Sequence, residues 1–255
     1  MNAGTQSPGH GELRPLRPAR REATTLPAGR KVAPDASFLS FSGFFLTEQD
    51  DRSDYCSVTK SGGAHDELLR QGIRLFTTQG YGSTGVQQIV EAARVPKGSF
   101  YNHFESKDAF AAEAVRMYAD EFSRELDVSL RKVGPQNAIK QLRAFFEQMT
   151  RRFEVSKFRE GCLVGSLSLE GPNLSKNCRQ AMAAAFRDWT PAFRELIERG
   201  QQEGRIRKDI PAPIQADFVL NAWQGSVIRM KIEGSAQPLE QFSKTVSVYL
   251  SVGRG

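Results

Sequence analysis

Apolar residues recur at helical spacing along most of the chain after residue 63. Between Ala64 and Gly80, Leu69, Ile73 and Phe76 lie three or four residues apart and therefore share one face of a helix. Similar stretches follow at 86–93, 97–104, 107–130, 137–155, 162–170, 174–204, 213–234 and 238–252. No convincing alternation of apolar and polar residues, the mark of a half-buried strand, is present. The pattern predicts an all-α fold.

Small and polar residues mark the ends of the first two predicted helices. Gly80 is expected to end the first helix in a left-handed conformation, which glycine adopts without strain. Thr84 and Gln87 have the spacing of a capping box, in which two side chains satisfy free backbone N–H groups at a helix start. The second helix is therefore expected to begin at Thr84.

A turn and a third short helix come next. Pro96 disfavours helical backbone at Val95 and so ends the second helix. The third helix is predicted from Lys97 to about Phe104, and Ser106 is expected to cap a fourth. Two short helices joined by a tight turn form a helix-turn-helix.

Composition and charge narrow the functional classes only a little. Of the 255 residues 39% are hydrophobic, and the net charge of +6 mildly favours an anionic partner. No run of about 18 apolar residues occurs, so no membrane span is predicted. Three cysteines without paired spacing indicate a reducing cytoplasm, and three histidines lack the spacing of a metal site. A cytoplasmic protein without a metal or other cofactor is expected.

Residues 1–63 differ from the rest of the chain. Most of this segment is rich in Pro, Gly, Arg and Thr, has no apolar period and is predicted to be disordered. The apolar stretch Phe38–Leu46 resembles a signal-peptide core, but a long basic region precedes it and no small-residue cleavage site follows. An alternative is that translation starts downstream of Met1. The remaining chain is predicted to hold two domains, at 64–110 and 111–255.

Gly80, Gly82 and Gly85 match the G-x-G-x-x-G fingerprint of dinucleotide-binding proteins. That fingerprint works only after a β-strand, where the N-terminus of the next helix meets a pyrophosphate. Here an amphipathic helix precedes the glycines, and no parallel strand is predicted after them. A helix end followed by a flexible turn is the favoured interpretation.

The third predicted helix carries groups suited to DNA. Lys97 can reach a guanine or a phosphate, Ser99 and Asn102 can hydrogen-bond to base edges or phosphates, and Gly98 allows close approach. From residue 64 to residue 107 there are five basic and four acidic residues, 5 − 4 = +1, so binding must depend on a few well-placed donors. The alternative is a helical hairpin with buried aromatic residues and a solvated polar face.

An ordered set of residues matches a known family pattern: Phe76, Gly80, Thr84, Ile89, Val95, Gly98, Phe100, Tyr101, His103, Phe104 and Lys107. On this set, residues 68–110 resemble the N-terminal domain of the TetR family of bacterial transcription regulators. Two positions depart from the usual pattern: Arg94 stands where the turn usually has Gly, and Gly72 stands where Ala is usual. Arg94 is strained if its backbone is left-handed, and glycine within a helix costs about 1 kcal/mol relative to alanine.

The resemblance also implies how the protein binds DNA. The residues expected to contact DNA are Thr84, Arg94, Lys97, Gly98, Ser99, Tyr101, Asn102, His103 and Lys107. A homodimer would bind double-stranded DNA at a palindromic operator, with two recognition helices about one turn of DNA apart. The predicted helices 213–234 and 238–252 would form the dimer interface as a four-helix bundle.

Three parts of the C-terminal half are residues 161–172, the long helix that contains Trp189, and residues 222–234. On these parts the chain is similar, more weakly, to TetR-family domains that sense small, often reactive, organic molecules. Cys162 precedes a predicted helix and would trap an electrophile or oxidant if its pKa were lowered there. A buried cysteine that only packs is the favoured alternative. Trp189 and Trp223 are candidate pocket residues, although aromatic residues at helical spacing more often belong to a core.

The sequence is thus interpreted as a ligand-responsive repressor that leaves its operator when a small-molecule inducer binds. Such release requires that the inducer bind the two states with different affinity. The alternative is an all-α enzyme or scaffold that uses a helix-turn-helix shape without binding DNA. No catalytic triad, paired carboxylates or metal-ligand set can be placed in the sequence for such an enzyme.

Overall fold

The computed structural model describes residues 63–133 and 137–252, and these two ranges are helical. A short 3₁₀ turn, Gly171–Asn173, and an isolated bridge between Ile206 and Ser251 are the departures from α-helix and loop found there. The all-α prediction is therefore confirmed. The α-helices of the described ranges are α1 Ala64–Gln79, α2 Val86–Ala92, α3 Lys97–His103, α4 Lys107–Val133, α5 Ala138–Val155, α6 Leu163–Ser168, α7 Lys176–Gln202, α8 Ala212–Glu233 and α9 Gln237–Leu250.

The predicted N-terminal extension lies outside the described residues, except for Gly63. The same is true of the apolar stretch Phe38–Leu46, so its interpretation stays a prediction. Within the part of the chain that the structure describes, no helix is both long enough and apolar enough to cross a bilayer.

Helices α1 to α3 pack around a core that follows the sequence periodicity. Ile73 and Phe76 of α1 are completely buried, as is Phe100 of α3, and Phe104 is almost so. The rings of Phe100 and Phe104 lie 5.3 Å apart, and both contact the ring of Phe110 at the start of α4. The beginning of α4 therefore completes the core of this three-helix unit.

The capping box predicted for Thr84 and Gln87 is wrong, because α2 begins after Gly85. The backbone N–H of Gly85 donates to the side-chain oxygen of Gln88 at 2.8 Å. Thr84 is fully buried, and its hydroxyl donates back to the carbonyl of Gly80 at 2.6 Å. The hydroxyl thus closes the turn between α1 and α2 and does not cap α2.

Gly72, the glycine in the middle of α1, lies directly against the ring of Phe110. A Cβ atom at position 72 would come within 2.2 Å of Phe110 Cζ and 2.3 Å of Cε1. The Phe110 ring is completely buried and also packs against Phe76, so it has little room to move. The missing methyl group therefore allows α1 and α4 to pack closely.

The helices from α4 onward form a larger body, which we call the C-terminal body, and its core is aromatic. Trp189 of α7 lies 4.4 Å from Phe122 of α4, measured between ring centroids. Trp223 of α8 lies 4.8 Å from Phe146 of α5 and 5.4 Å from Phe242 of α9. Both tryptophans are buried, and they tie the long helices together.

Helix α8 is apolar on two opposite sides. The inner side is buried and includes Trp223, whereas the outer side exposes large apolar side chains at helical spacing. Val248 in the last turn of α9 and Val252, just after the helix, are exposed as well. A helix that is apolar on both sides normally has a partner on each, and contiguous exposed apolar residues mark interaction sites. We refer to these exposed residues together as the outer apolar face: Ile214, Phe218, Ile228, Ile232, Val248 and Val252.

Candidate nucleic-acid interface

Helix α3 presents one apolar face to the core and one polar face to solvent. Phe100 is buried, whereas Lys97, Tyr101, Asn102 and His103 are exposed. Tyr101 keeps 55% of its surface exposed, a large value for an aromatic side chain beside a core. At the helix start, Gly98 is exposed and Ser99 is half-buried. The structure thus brings six of the nine predicted DNA contacts to one short helix.

The turn before α3 contains a seventh predicted contact, Arg94. Its φ of 56° lies in the left-handed region, which explains why glycine is the usual residue at this position. The conformation costs a non-glycine residue roughly 1–2 kcal/mol. The strained residue is exposed and carries a permanent positive charge next to α3.

His103 lies beside a second histidine that the sequence did not single out. The rings of His65 and His103 are 5.5 Å apart, and His65 also stacks on Phe104. His65 hydrogen-bonds to Glu113 at 2.7 Å and to Asp66 at 3.1 Å. Burial lowers the pKa of His65, but these two carboxylates outweigh burial and raise it overall. The pair joins the start of α1 to the end of α3.

The structure places two of the nine predicted contacts away from this face. Thr84 is fully buried, with its hydroxyl committed to the Gly80 carbonyl. Lys107 points towards the α1–α2 turn, where its Nζ donates to the Tyr81 carbonyl at 2.6 Å and lies 4.0 Å from the Tyr81 ring centroid. Burial lowers the pKa of Lys107. We therefore leave both side chains out of the surface that we propose for DNA.

The α1–α2 turn is occupied by a carboxylate that sequence reasoning missed. Glu170, in the connection after α6, accepts the backbone N–H of Tyr81 and that of Gly82, each at 2.6 Å. The sequence signal was the pair Gly80 and Gly82, whose missing side chains make room for an anion. The missing β-strand argued against a dinucleotide site, but the local sequence could not indicate a partner 88 positions away.

Lys231 was likewise missed. Its Nζ donates at 2.5 Å to the carbonyl of Thr77 in the last turn of α1. A cation at a helix C-terminus satisfies a backbone carbonyl and interacts favourably with the helix dipole. The connection joins α8, a helix of the larger body, to α1 of the three-helix unit.

Cys162 is buried and has a raised pKa. Burial is the main cause of the rise, and it outweighs hydrogen bonds that include those with Gln224 and Tyr118. The lowered pKa that the sensing hypothesis requires is therefore not found. Trp189 donates its Nε1–H to the carbonyl of Ala119 at 3.1 Å, and Trp223 is held among phenylalanine rings. All three candidates for ligand contact lie in the core.

A group of charged side chains interrupts the apolar core between α4 and α5. Arg152 of α5 donates to Glu125 of α4, and both side chains are largely buried. Burial raises the pKa of nearby Glu160 to about 7 and also raises the pKa of Glu121. Glu121 and Glu125 each have one buried carboxylate oxygen without a hydrogen-bond partner in the described residues. These residues place charged groups inside the C-terminal body.

Two short helices joined by a tight turn, the second with a polar outer face and a phenylalanine core behind it, have the arrangement of a helix-turn-helix DNA-binding unit. Residues 68–114 match the family described as bacterial regulatory proteins, tetR family. Residues 138–246 match the family described as tetracyclin repressor-like, C-terminal domain. The chain belongs to the TetR family of bacterial regulatory proteins.

Individual relatives agree with this assignment. The HTH-type transcriptional repressor DhaR of Mycobacterium sp. (strain GP1) is 36% identical over 181 residues, which cover 70% of this chain and 88% of the relative. The repressor NemR of Escherichia coli K12 is 31% identical, with coverages of 69% and 87%. The crystal structure of a regulatory protein TetR from Rhodobacter sphaeroides superposes with a TM-score of 0.70 at 32% identity, over 73% of this chain and 98% of that one.

The family assignment confirms the prediction of a DNA-binding transcription regulator and shows that the protein is not an enzyme. Regulators of this family bind DNA operators, respond to small-molecule ligands and dimerise. The DNA contacts, the ligand and the dimer interface of this particular chain are subjects of proposal.

Proposed function

We propose that the protein is a homodimeric repressor that occupies a palindromic operator and is released by a small molecule bound in its C-terminal body. The observation that carries this proposal is the exposed polar face of α3. Lys97, Tyr101 and Asn102 are held in fixed positions by a phenylalanine core on the other side of a two-turn helix. Such a face suits insertion into a major groove.

The outer apolar face supports the homodimer. On α8 the apolar positions 214, 218, 228 and 232, with Asn221 and Gly225 between them, follow spacings of four and three, as in helix-bundle interfaces. A second copy of the same face covers such a surface through a two-fold axis. With α9 on either side, the two protomers would form a four-helix bundle.

Two-fold symmetry sets the form of the operator. A dimer presents two copies of α3, so each copy reads one half of a palindrome and the half-sites lie about one helical turn apart. Because the three-helix segment carries little excess charge, affinity depends on a small number of contacts in register. Sequence-specific binding is then expected to exceed non-specific binding clearly.

Small-molecule control is proposed to act in the C-terminal body. The charged group of Glu121, Glu125 and Arg152 supplies polar atoms in an otherwise apolar setting, which is how ligand sites obtain specificity. Cys162 is proposed to pack, since burial raises its pKa and so disfavours the reactive thiolate.

Replacing Lys97 by alanine is expected to weaken operator binding by about 1–3 kcal/mol, roughly 5- to 150-fold, because a donor on the exposed face of α3 is lost. Tyr101→Ala is expected to act in the same direction. The measurement is gel retardation of the DNA fragment upstream of the protein's own gene at several salt concentrations. Lys140→Ala, which removes an exposed lysine on α5, is the matched control and should bind like the wild type. The proposal fails if the wild type shows no salt-dependent preference for this fragment over random DNA.

A further inference from the structure

The turn between α1 and α2 forms a binding site for one carboxylate, which we call the carboxylate seat. Two successive backbone N–H groups, of Tyr81 and Gly82, point at the two oxygens of Glu170, at 2.6 Å each. Successive amides that converge in this way form an anion-binding concavity. Hydrogen bonds to an ionised acceptor are also about twice as strong as neutral ones. In the folded chain the anion is a side chain of the C-terminal body.

The two glycines of the turn make this approach possible. A Cβ atom at position 80 would lie 2.9 Å from Glu170 Oε1, and one at position 82 would lie 2.8 Å from Oε2. Gly80 also adopts a φ of 90° with extended ψ, a conformation that side chains disfavour. The G-x-G part of the apparent dinucleotide fingerprint is therefore explained by an intramolecular contact.

The carbonyl and the side-chain hydroxyl of Tyr81 are also held, by residues at the start of α4. Lys107 donates to the Tyr81 carbonyl at 2.6 Å, and the Tyr81 hydroxyl donates to Asp108 Oδ1 at 2.5 Å. Glu170 and Lys107 also attract each other electrostatically. The seat thus joins three parts of the molecule: the α1–α2 turn, the start of α4 and the connection after α6.

A second contact from the C-terminal body lies in the last turn of α1, four residues before Tyr81. Lys231 of α8 donates to the Thr77 carbonyl at 2.5 Å. The two contacts come from different elements of the C-terminal body, and both act where α1 leads into α2 and α3. The end of α1 and the turn that follows it are therefore each tied to the C-terminal body.

We propose that Glu170 is a positioning residue for DNA binding, through which the C-terminal body sets the orientation of α3. The proposal rests on the proposed function, because orientation matters only if two recognition helices must meet two half-sites together. With the carboxylate seated, the turn and the helices after it are ordered before DNA arrives. Without it, binding must supply that order, which weakens specific binding more than non-specific binding.

The test compares full-length wild type with Glu170→Gln, which replaces one acceptor oxygen by an NH₂ group facing an N–H. The probes are a duplex selected from a random library by the wild type and an unselected duplex of equal length. Affinity for the selected duplex is expected to fall about tenfold, as the loss of a charged hydrogen bond implies, with little change for the unselected one. Hydrogen exchange of the Tyr81 and Gly82 amides is expected to accelerate by about the same factor or more.

Glu154→Gln is the matched control, because it makes the same charge change at an exposed position on α5. It should leave both affinities and both exchange rates unchanged. If Glu170→Gln does not fold, Glu170→Asp keeps the charge, shortens the reach by one methylene and gives the same readouts. A general loss of stability would reduce binding to both duplexes, so an unchanged ratio of the two affinities contradicts a positioning role.

The two proposals fail in different ways. A wild type that selects no preferred duplex overturns the proposed operator binding, and with it the role of Glu170. A preferred duplex that Glu170→Gln binds as tightly as the wild type overturns the role of Glu170 alone.

Discussion

Replacing Ile228 by glutamate will separate the two protomers and lower operator affinity by about a thousandfold, the loss expected when two linked sites become independent. In a two-fold interface the substitution places two carboxylates in an apolar contact, where each loses its hydration without gaining a partner. The protomer itself should remain folded, because Ile228 is 44% exposed in the single chain and is not part of its core.

The mass in solution, measured by light scattering or sedimentation, and gel retardation on the selected duplex check this prediction together. Val155→Glu is the matched control, since Val155 is 46% exposed but lies on α5, away from the outer apolar face. It should stay dimeric and bind the operator. An Ile228→Glu protein that remains a dimer would show that the protomers meet through another surface.

Phe110→Ala is expected to reduce the free energy of unfolding by about 3–5 kcal/mol, the cost of removing a completely buried phenylalanine side chain. Its ring contacts Phe76, Phe100 and Phe104, so the cavity would open in the middle of the three-helix unit. The α3 face would lose its support, and DNA binding should weaken with stability. Denaturation by urea, followed by circular dichroism, measures the change.

The Phe110 ring also determines whether Gly72→Ala stabilises or destabilises the protein. In the wild type, Gly72→Ala should destabilise the protein by about 1–3 kcal/mol, because the new methyl group overlaps the Phe110 ring. In the Phe110→Ala background the space is open, and the helix preference of alanine should stabilise α1 by up to about 1 kcal/mol. Gly98→Ala, where a Cβ atom meets open space, is the control and should show no such reversal. Equal effects of Gly72→Ala in both backgrounds would contradict the proposed contact.

Local patterns in the sequence were sufficient for the fold and for the position of the recognition helix. Glycine and proline end helices through their own backbone preferences, and buried phenylalanines repeat at helical spacing. Pro96 and Phe100 illustrate both rules, and the structure agrees with each. Family resemblance added the DNA-binding function, which no single residue establishes.

The sequence failed where a partner lies far along the chain. Nothing near Gly82 indicates Glu170, and nothing near Lys107 indicates that it turns towards Tyr81 and not towards solvent. Cys162 was ambiguous for the same reason, because burial depends on the surrounding helices and decides the direction of its pKa shift. The capping box failed on a smaller scale, when Thr84 found a backbone partner in the preceding turn.

Helix α8 contributes residues to three different regions of the molecule. Its inner side belongs to the core through Trp223, its outer side bears Ile228, and Lys231 reaches the end of α1. In the proposed dimer, a rotation or shift of this helix would alter subunit affinity and, through Lys231, the end of α1 together. Genetic screens for repressors that no longer respond to inducer and for repressors that no longer assemble should therefore recover substitutions in one shared segment, residues 212–233.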